Sequence, residues 1–428
     1  MNASIAVVIV VMMVCFVIRV PISLTMFGVS IVYFLMNHMG VGTILSIAMS
    51  RLSANAVLVS IPLFIFTANI MNSGKVTERM MTFCKAVIGP KKGALAYLNV
   101  LISLIFSGMT GSAVADASGI GLMEIKEMDK DGYDTEFSAA ITAATSVVGP
   151  IFPPSIPMVV YALFAEVSIG RLFMGGMVPA VLISLVLGIY VHYISKKRDY
   201  PKGIRFSRKE FWEYTIQAIP ALLTPIILLG GIYSGVVTAT EAGVLAAAWS
   251  ILVSIYPYKC ITLKTLWQAV KDTVVQTGSI IAIVTGAFVL SHIVTLSGLG
   301  NAICDAFLGL TTNKYVFLLI VNVLFIFLGM LFDTQVLQLV FLPLVLPVAT
   351  ALGIDLVHFG IVIVVNMMVG MTTPPYGVLC FISASIGNVP VQKVFKEVLP
   401  MALLMISVLL LITYFPAIVT VLPNTLIG

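Results

Sequence analysis

The chain has 428 residues, of which 60% are apolar and only 10% charged, with a mean hydropathy of +1.12. Those proportions exclude an ordinary soluble domain, whose surface needs far more charge, and the continuous apolar runs exclude a β-barrel, whose strands alternate. The formal net charge of +5 matters less than its placement, because the cations gather in a few short segments.

A helix needs about 20 apolar residues to cross a bilayer, which leaves room for about ten crossings. The first run, 3–18, has no basic leader region before Arg19 and no small-residue cleavage pattern, so it reads as a retained helix. A crossing at 22–37 and another at 55–72 follow. Residues 73–89 put Val76, Met80, Phe83 and Val87 on one helical face and Lys75, Glu78, Arg79 and Lys85 on the other, the pattern of a helix lying in the membrane plane. Residues 93–125 are long enough to enter and leave the bilayer, but polar residues break them after Gly108; they read as a re-entrant hairpin. The span 137–165 is interrupted by Pro153-Pro154, and a crossing at 176–195 ends the first half.

A basic linker, 199–218, comes next, with Ser207 and Glu210 forming a capping-box pattern before Phe211-Trp212. Crossings follow at 219–233 and 242–256. A second in-plane helix over 259–275 sets Leu263, Leu266, Trp267, Val270 and Val274 opposite Lys264, Lys271 and Asp272. The rest comprises a crossing at 275–293, a second hairpin at 315–348, a second interrupted span at 355–387 and a last crossing at 400–422. The predicted fold class is an all-α polytopic membrane protein.

Charge orients these elements. Lys196, Lys197, Arg198, Lys202, Arg205, Arg208 and Lys209 form the heaviest basic cluster, with Asp199 the one acid among them, and such a loop belongs on the cytoplasmic side. Its apolar flanks argue against nucleic-acid binding. Alternating outward places 20 of the 23 Lys and Arg residues on that side, leaves Arg51, Arg171 and Lys314 outside, and puts both termini in the periplasm. The first hairpin then enters from the cytoplasm and the second from the periplasm.

The chain also repeats itself. Gly108-Met109 and Gly329-Met330 open the two hairpin breaks, while Gly149 with Pro153-Pro154 and Gly370 with Pro374-Pro375 mark the two interrupted spans. In each half the glycines stand 41 positions apart and the first proline follows four later, with an offset of 221 between halves. With opposite hairpin directions, 1–198 and 219–428 read as inverted repeats.

A Pro-Pro pair unwinds a helix, so carbonyls around 147–151 and 369–373 are expected to be free as ligands for a hard cation such as Na⁺. The tips add further oxygens. One candidate ion site is Ser107, Thr110 and Gly149; the other is Gly329, Asp333, Gly370 and Thr373. Ser112, Ser155, Thr334, Gln335 and Thr372 are the candidate solute contacts between them, and half-helix N-termini pointing there would favour an anion. Small and hydroxyl residues in membrane helices often serve packing alone, but their recurrence in register in both halves favours binding. Asp116 either joins the first site or braces its hairpin, because a carboxylate at membrane depth needs a cavity or a partner. The five cysteines and four histidines are scattered, and no nucleophile–base pair or metal cluster points to an enzyme. An aspartyl protease would need a Gly-x-Gly-Asp context that is missing. A channel is the alternative reading.

Three segments carry a resemblance: Ser-Gly-Met-Thr-Gly-Ser-Ala-Val-Ala-Asp (107–116), Gly-Pro-Ile-Phe-Pro-Pro-Ser-Ile-Pro-Met (149–158) and Gly-Met-Thr-Thr-Pro-Pro-Tyr-Gly (370–377). They resemble the large membrane subunit of tripartite ATP-independent periplasmic (TRAP) transporters, and the resemblance covers essentially the whole chain. It implies Na⁺-driven uptake of a carboxylate-bearing solute across the bacterial inner membrane, delivered by a periplasmic binding protein. It also implies an elevator motion and a small four-helix membrane subunit, here on a separate chain because the sequence starts at the large subunit's first helix. The family's sodium sites pair each tip with its own interrupted span, as above. Sialic acid is favoured over a C4-dicarboxylate. Neither tip nor unwound loop holds Arg or Lys, so helix dipoles, hydroxyls and Na⁺ would meet the carboxylate. No organic cofactor is implied.

Overall fold

The computed structural model describes residues 3–72 and 74–426. Among them the regular structure is helical, apart from one isolated bridge between Lys92 and Lys202 that ties the foot of the first hairpin to the basic linker.

The chain opens with α1 (Ala3–Val17) and α2 (Ile22–Met36), which pack on each other. Next, α3 (Gly42–Ala54) meets the segment containing α4 (Ser60–Met71) at a 73° bend. The amphipathic helix is α5 (Gly74–Ile88). Its buried stripe is Val76, Met80, Met81, Cys84 and Ile88, while Val87, expected on that face, is exposed. The stripe is turned because α5 packs against both α6 (Ala94–Thr110) and α12 (Arg208–Tyr233), not against lipid alone.

The first hairpin is α6, a tip at Gly111-Ser112, then α7 (Ala113–Ser118) and α8 (Ile120–Lys130). The first interrupted span is α9 (Thr135–Thr145) and α10 (Ile156–Ala165), with a short turn and the proline pair between; α11 (Ile169–Lys197) follows. In the second half come α12, α13 (Ala239–Ile255), α14 (Leu263–Leu296) and α15 (Leu299–Leu310). The second hairpin is α16 (Lys314–Leu331) and α17 (Thr334–Ala351), the second interrupted span α18 (Leu356–Gly370) and α19 (Val378–Gly387), and the end α20 (Val391–Tyr414) and α21 (Ala417–Leu426). The Pro153-Pro154 and Pro374-Pro375 bonds are both cis. By length and composition α11, α12, α14, α16, α17 and α20 can each cross a membrane, and the bent pair over 42–71 would make a seventh.

Three expectations change. The capping box at Ser207 and Glu210 is present, but α12 runs on through position 219, so the arm helix and the next crossing are one element. Likewise α14 is a single 34-residue helix over 263–296. Its expected apolar face is exposed at Leu263, Trp267 and Val274, while Ala269, Thr273 and Thr277 are buried. Thr273 accepts from Asn69 Nδ2 at 3.0 Å, so the small face packs inward and the large side chains face outward. The run 400–422 is cut at Phe415-Pro416, where proline cannot continue α20.

The two interrupted spans form the centre. From Val357 to Gly370 every residue of α18 is buried, as is every residue of α9 from Phe137 to Thr145. Outer helices carry exposed Ile189, Ile226, Val275 and Leu403. The helices that run into the two breaks are thus the least exposed, although Pro375 and Tyr376 at the second break are themselves exposed.

Candidate functional site

Each tip is held by a side chain that caps its second arm. Ser112 is the N-cap of α7 and accepts from Ala115 N at 3.4 Å; Asp333 is the N-cap of α17 and accepts from Gln335 N at 2.9 Å. The two caps stand 221 positions apart, so the repeat extends to the residue that turns each tip. A serine or aspartate there satisfies amide protons that the helix start leaves unpaired.

The tips lie against the breaks in the interrupted spans. A Cβ on Gly111 would stand 2.5 Å from Pro154 O, so only glycine, here at φ +61°, allows the first tip to sit on that loop. Gly149 lies against the Ser112 backbone. In the second half a Cβ on Gly370 would stand 2.8 Å from Gly329 Cα. The pairing of each tip with its own break, expected from equal spacing, is what the backbone does.

Between the tips is a cavity of about 50 Å³. Ser112, Asp333, Thr334 and Gln335 line it, together with Ile156 and Pro157 from the first turn of α10. Four expected residues from opposite halves therefore meet in one place. Amino ends of α10 and α17 both face it, and their aligned dipoles favour a negative group. Thr334 is buried, with its hydroxyl 3.0 Å from Met371 Sδ.

The remaining candidates lie around this cavity, not in it. Ser155 is buried and caps α10, accepting from Met158 N at 3.2 Å and donating to Pro150 O. Thr372 and Thr373 both donate to Val369 O, at 2.8 and 2.7 Å. Ser107 donates to Leu104 O at 2.6 Å and Thr110 to Phe106 O at 3.3 Å. The carbonyls expected to be free are partly taken: Val148 O accepts from the amides of Ile151 and Phe152, and Gly370 O accepts from Thr373 N. Tight turns replace the lost helical bonds, as a buried backbone requires. A carbonyl oxygen has two lone pairs, so Gly370 O, which accepts one bond, can still face a cation, whereas Val148 O already accepts two.

Several functional-looking groups escape the sequence reading. Asn99 donates to Thr142 at 2.7 Å and accepts from Thr145 at 2.5 Å, tying α6 to α9. Asn322 accepts from Asn366 at 2.8 Å and donates to Thr413 at 2.9 Å. Gln338, fully buried, donates to Pro157 O at 2.9 Å and so joins the second hairpin to the wall of the cavity. The signal for all of them is a lone amide in an apolar run. Asp116 accepts from Ser103 at 3.0 Å, which braces the two arms, while its Oδ1 has no hydrogen-bond partner; Asn366 Oδ1, one turn before Gly370, has none either. An all-oxygen set without Lys or Arg, with unpaired oxygens beside each break, has the chemistry a small monovalent cation takes. Among the described residues no group of three or more His, Cys, Asp or Glu could hold a metal ion.

Residues 9–418 match the family described as "Tripartite ATP-independent periplasmic transporter, DctM component". The chain is 37% identical over 374 residues to the sialic acid TRAP transporter large permease protein SiaM of Vibrio cholerae, covering 87% of this chain and 88% of that one. It is 33% identical over 439 residues to the C4-dicarboxylate TRAP transporter large permease protein DctM of the same species, covering 96% of each. Among solved structures, the YdaH transporter of Alcanivorax borkumensis has the same fold, with a TM-score of 0.63 over 88% of this chain and 89% of that one at 16% identity.

Proposed function

This chain belongs to the DctM-component family of tripartite ATP-independent periplasmic transporters, and we propose that it carries a carboxylate-bearing solute through the membrane together with Na⁺. The observation that supports this reading is the convergence of Ser112 with Asp333, Thr334 and Gln335 on one cavity between two helix N-termini. Hydroxyls, an amide and positive dipole ends suit a carboxylate without needing a basic side chain.

In this reading α6–α8 and α16–α17 are re-entrant hairpins, and hairpins and interrupted spans move as an elevator against the outer helices. Na⁺ would be held at Ser107, Thr110 and Gly149, and at Gly329, Asp333, Gly370 and Thr373. Its role is to neutralise the site and so make solute binding depend on the ion. Sialic acid is favoured, because relatives named for it are more similar than those named for C4-dicarboxylates. The partners are a periplasmic binding protein and a small four-helix membrane subunit. The basic linker lies on the cytoplasmic side of the inner membrane and both termini on the periplasmic side.

The test is solute uptake into proteoliposomes holding this chain with its small subunit and cognate binding protein. Uptake is expected under an inward Na⁺ gradient. Uptake driven equally well by K⁺ would overturn the coupling, and a steady ionic current without solute would favour a channel.

A further inference from the structure

The second arm of the first hairpin carries a row of acids with a consistent geometry. Asp116 lies on α7 near the tip, Glu124 and Glu127 on α8, and Asp131 at its C-cap. Spacings of three and four put the last three on one helical face. Asp116 and Glu124 are each 2% exposed. On each, one carboxylate oxygen (Asp116 Oδ1 and Glu124 Oε1) has no hydrogen-bond partner.

Glu124 has no cation to offset it. The charged groups that press on it are Asp116 and Glu127, both acids, and Cys84 of α5 is its other titratable neighbour. Among the described residues no Lys or Arg forms an ion pair with it. An unpaired carboxylate buried beside two more is costly, and such residues in membrane proteins mark ion paths. The row also leads somewhere. Glu127 and Asp131 line a cavity of about 260 Å³ between α5, the feet of the hairpin and the basic linker. Lys85 pairs with Glu127 there at 2.7 Å. Along α8 the step from 124 to 127 rises about 4.5 Å.

We propose that Glu124 is a relay site for a monovalent cation passing between the first hairpin tip at Asp116 and the surface cavity at Glu127. The proposal rests on the Na⁺-coupled reading given above. The unpaired oxygens of Asp116 and Glu124 receive the ion in turn. At the mouth, the Lys85 ammonium competes for Glu127, so an arriving ion is released to water and not retained.

Glu124→Gln tests this in the reconstituted transporter with its binding protein, because glutamine keeps the size and polarity of a neutral acid but loses the charge. The expected result is at least a tenfold lower maximal rate of Na⁺-driven uptake, with the half-saturating Na⁺ concentration within twofold of wild type. Glu124→Asp should recover most of the rate. Glu127→Gln, at a surface position, should also slow turnover several-fold, and it decides between relay and structural role if thermal unfolding shows that Glu124→Gln does not fold. Wild-type rates in the folded neutral variants would make these acids structural and overturn the relay while leaving Na⁺ coupling intact. A wild-type protein indifferent to Na⁺ would overturn both.

Discussion

Asn366 donates a 2.8 Å hydrogen bond to Asn322, and position 366 lies 221 residues after Thr145, which donates to Asn99 at 2.5 Å. In both repeats an asparagine on the first arm of a hairpin is therefore tied to the first half of the interrupted span, inside an apolar core. The second arms reach across instead. Gln338 of α17 bonds Pro157 of α10, and α7 and α8 pack on α19. The asparagine ties thus stay within one repeat, while the second arms add contacts from one repeat to the other.

The asparagine ties can be cut singly. Asn322→Leu leaves Thr413 and Asn366 without this partner in a buried core, at a cost of about 1–3 kcal/mol. Asn99→Leu should cost about the same by the same principle, through Thr142 and Thr145. Thermal unfolding in detergent measures both; melting points unchanged from wild type would refute the structural role.

Gly370→Ala would place a methyl 2.8 Å from Gly329 Cα and 2.9 Å from Gly329 C. Both neighbours are backbone and cannot rotate away, so the second hairpin has to separate from its span. Transport should fall at least tenfold while membrane insertion stays normal. Gly329→Ala, whose closest backbone contact is 3.2 Å, should be milder. Equal and full activity in both would show that the close approach is dispensable.

Asp333 and Thr373 separate ligand from packing. Asp333→Ala removes both the cap of α17 and a candidate cation ligand, and should weaken the Na⁺ dependence of uptake. Unchanged Na⁺ activation would count against it. Thr373→Val keeps the volume but loses the hydroxyl that now bonds Val369 O. Unaltered transport in that variant would mark Thr373 as packing.

Arg198 joins three elements at the basic end of the molecule. It makes two 2.8 Å bonds to Glu397 of α20 and one of 2.9 Å to Asp134 before α9. Nη2 serves both Glu397 oxygens and Nη1 serves Asp134, a fork that a single ammonium cannot span, so Arg198→Lys should cost about 1–2 kcal/mol, less than a fully buried pair because both side chains are partly exposed. Denaturant or thermal unfolding checks it, and a wild-type midpoint would sink it.

Glu136 provides a pH-dependent contact. The Lys393 ammonium, 2.8 Å away, holds its carboxyl below the ordinary value of 4.5. A lowered folded value means the unfolded chain takes up the proton first on acidification. The contribution is therefore present above pH 4.5 and lost as pH falls through the lower folded value. The melting difference between wild type and Lys393→Met should shrink over that interval, and a difference independent of pH would exclude the ion pair as its source.

Much of this is legible in the sequence because its causes are local. Apolar runs, the Pro-Pro pairs, the glycines at equal spacing and the Ser207–Glu210 cap each act within a few residues or repeat at a fixed offset. The places where the sequence misleads are also physical. Nothing between 259 and 296 tells a separate arm from one long helix, since an apolar face looks alike whether lipid or protein covers it. Fewer carbonyls are free than the proline pairs imply, because an unwound loop makes new turns, as Val148 O and Gly370 O do.

What the sequence determined alone is the membrane-embedded helical class, the two interrupted spans and the oxygen-rich tips. Each follows from hydropathy, from proline's missing amide and from residue type. Only the tertiary structure decided that Ser112 and Asp333, from opposite halves, face one cavity, that Gln338 reaches Pro157, and that Glu124 is buried among acids. The first two are contacts between residues far apart in the chain, and the burial of Glu124, like them, depends on how whole helices pack.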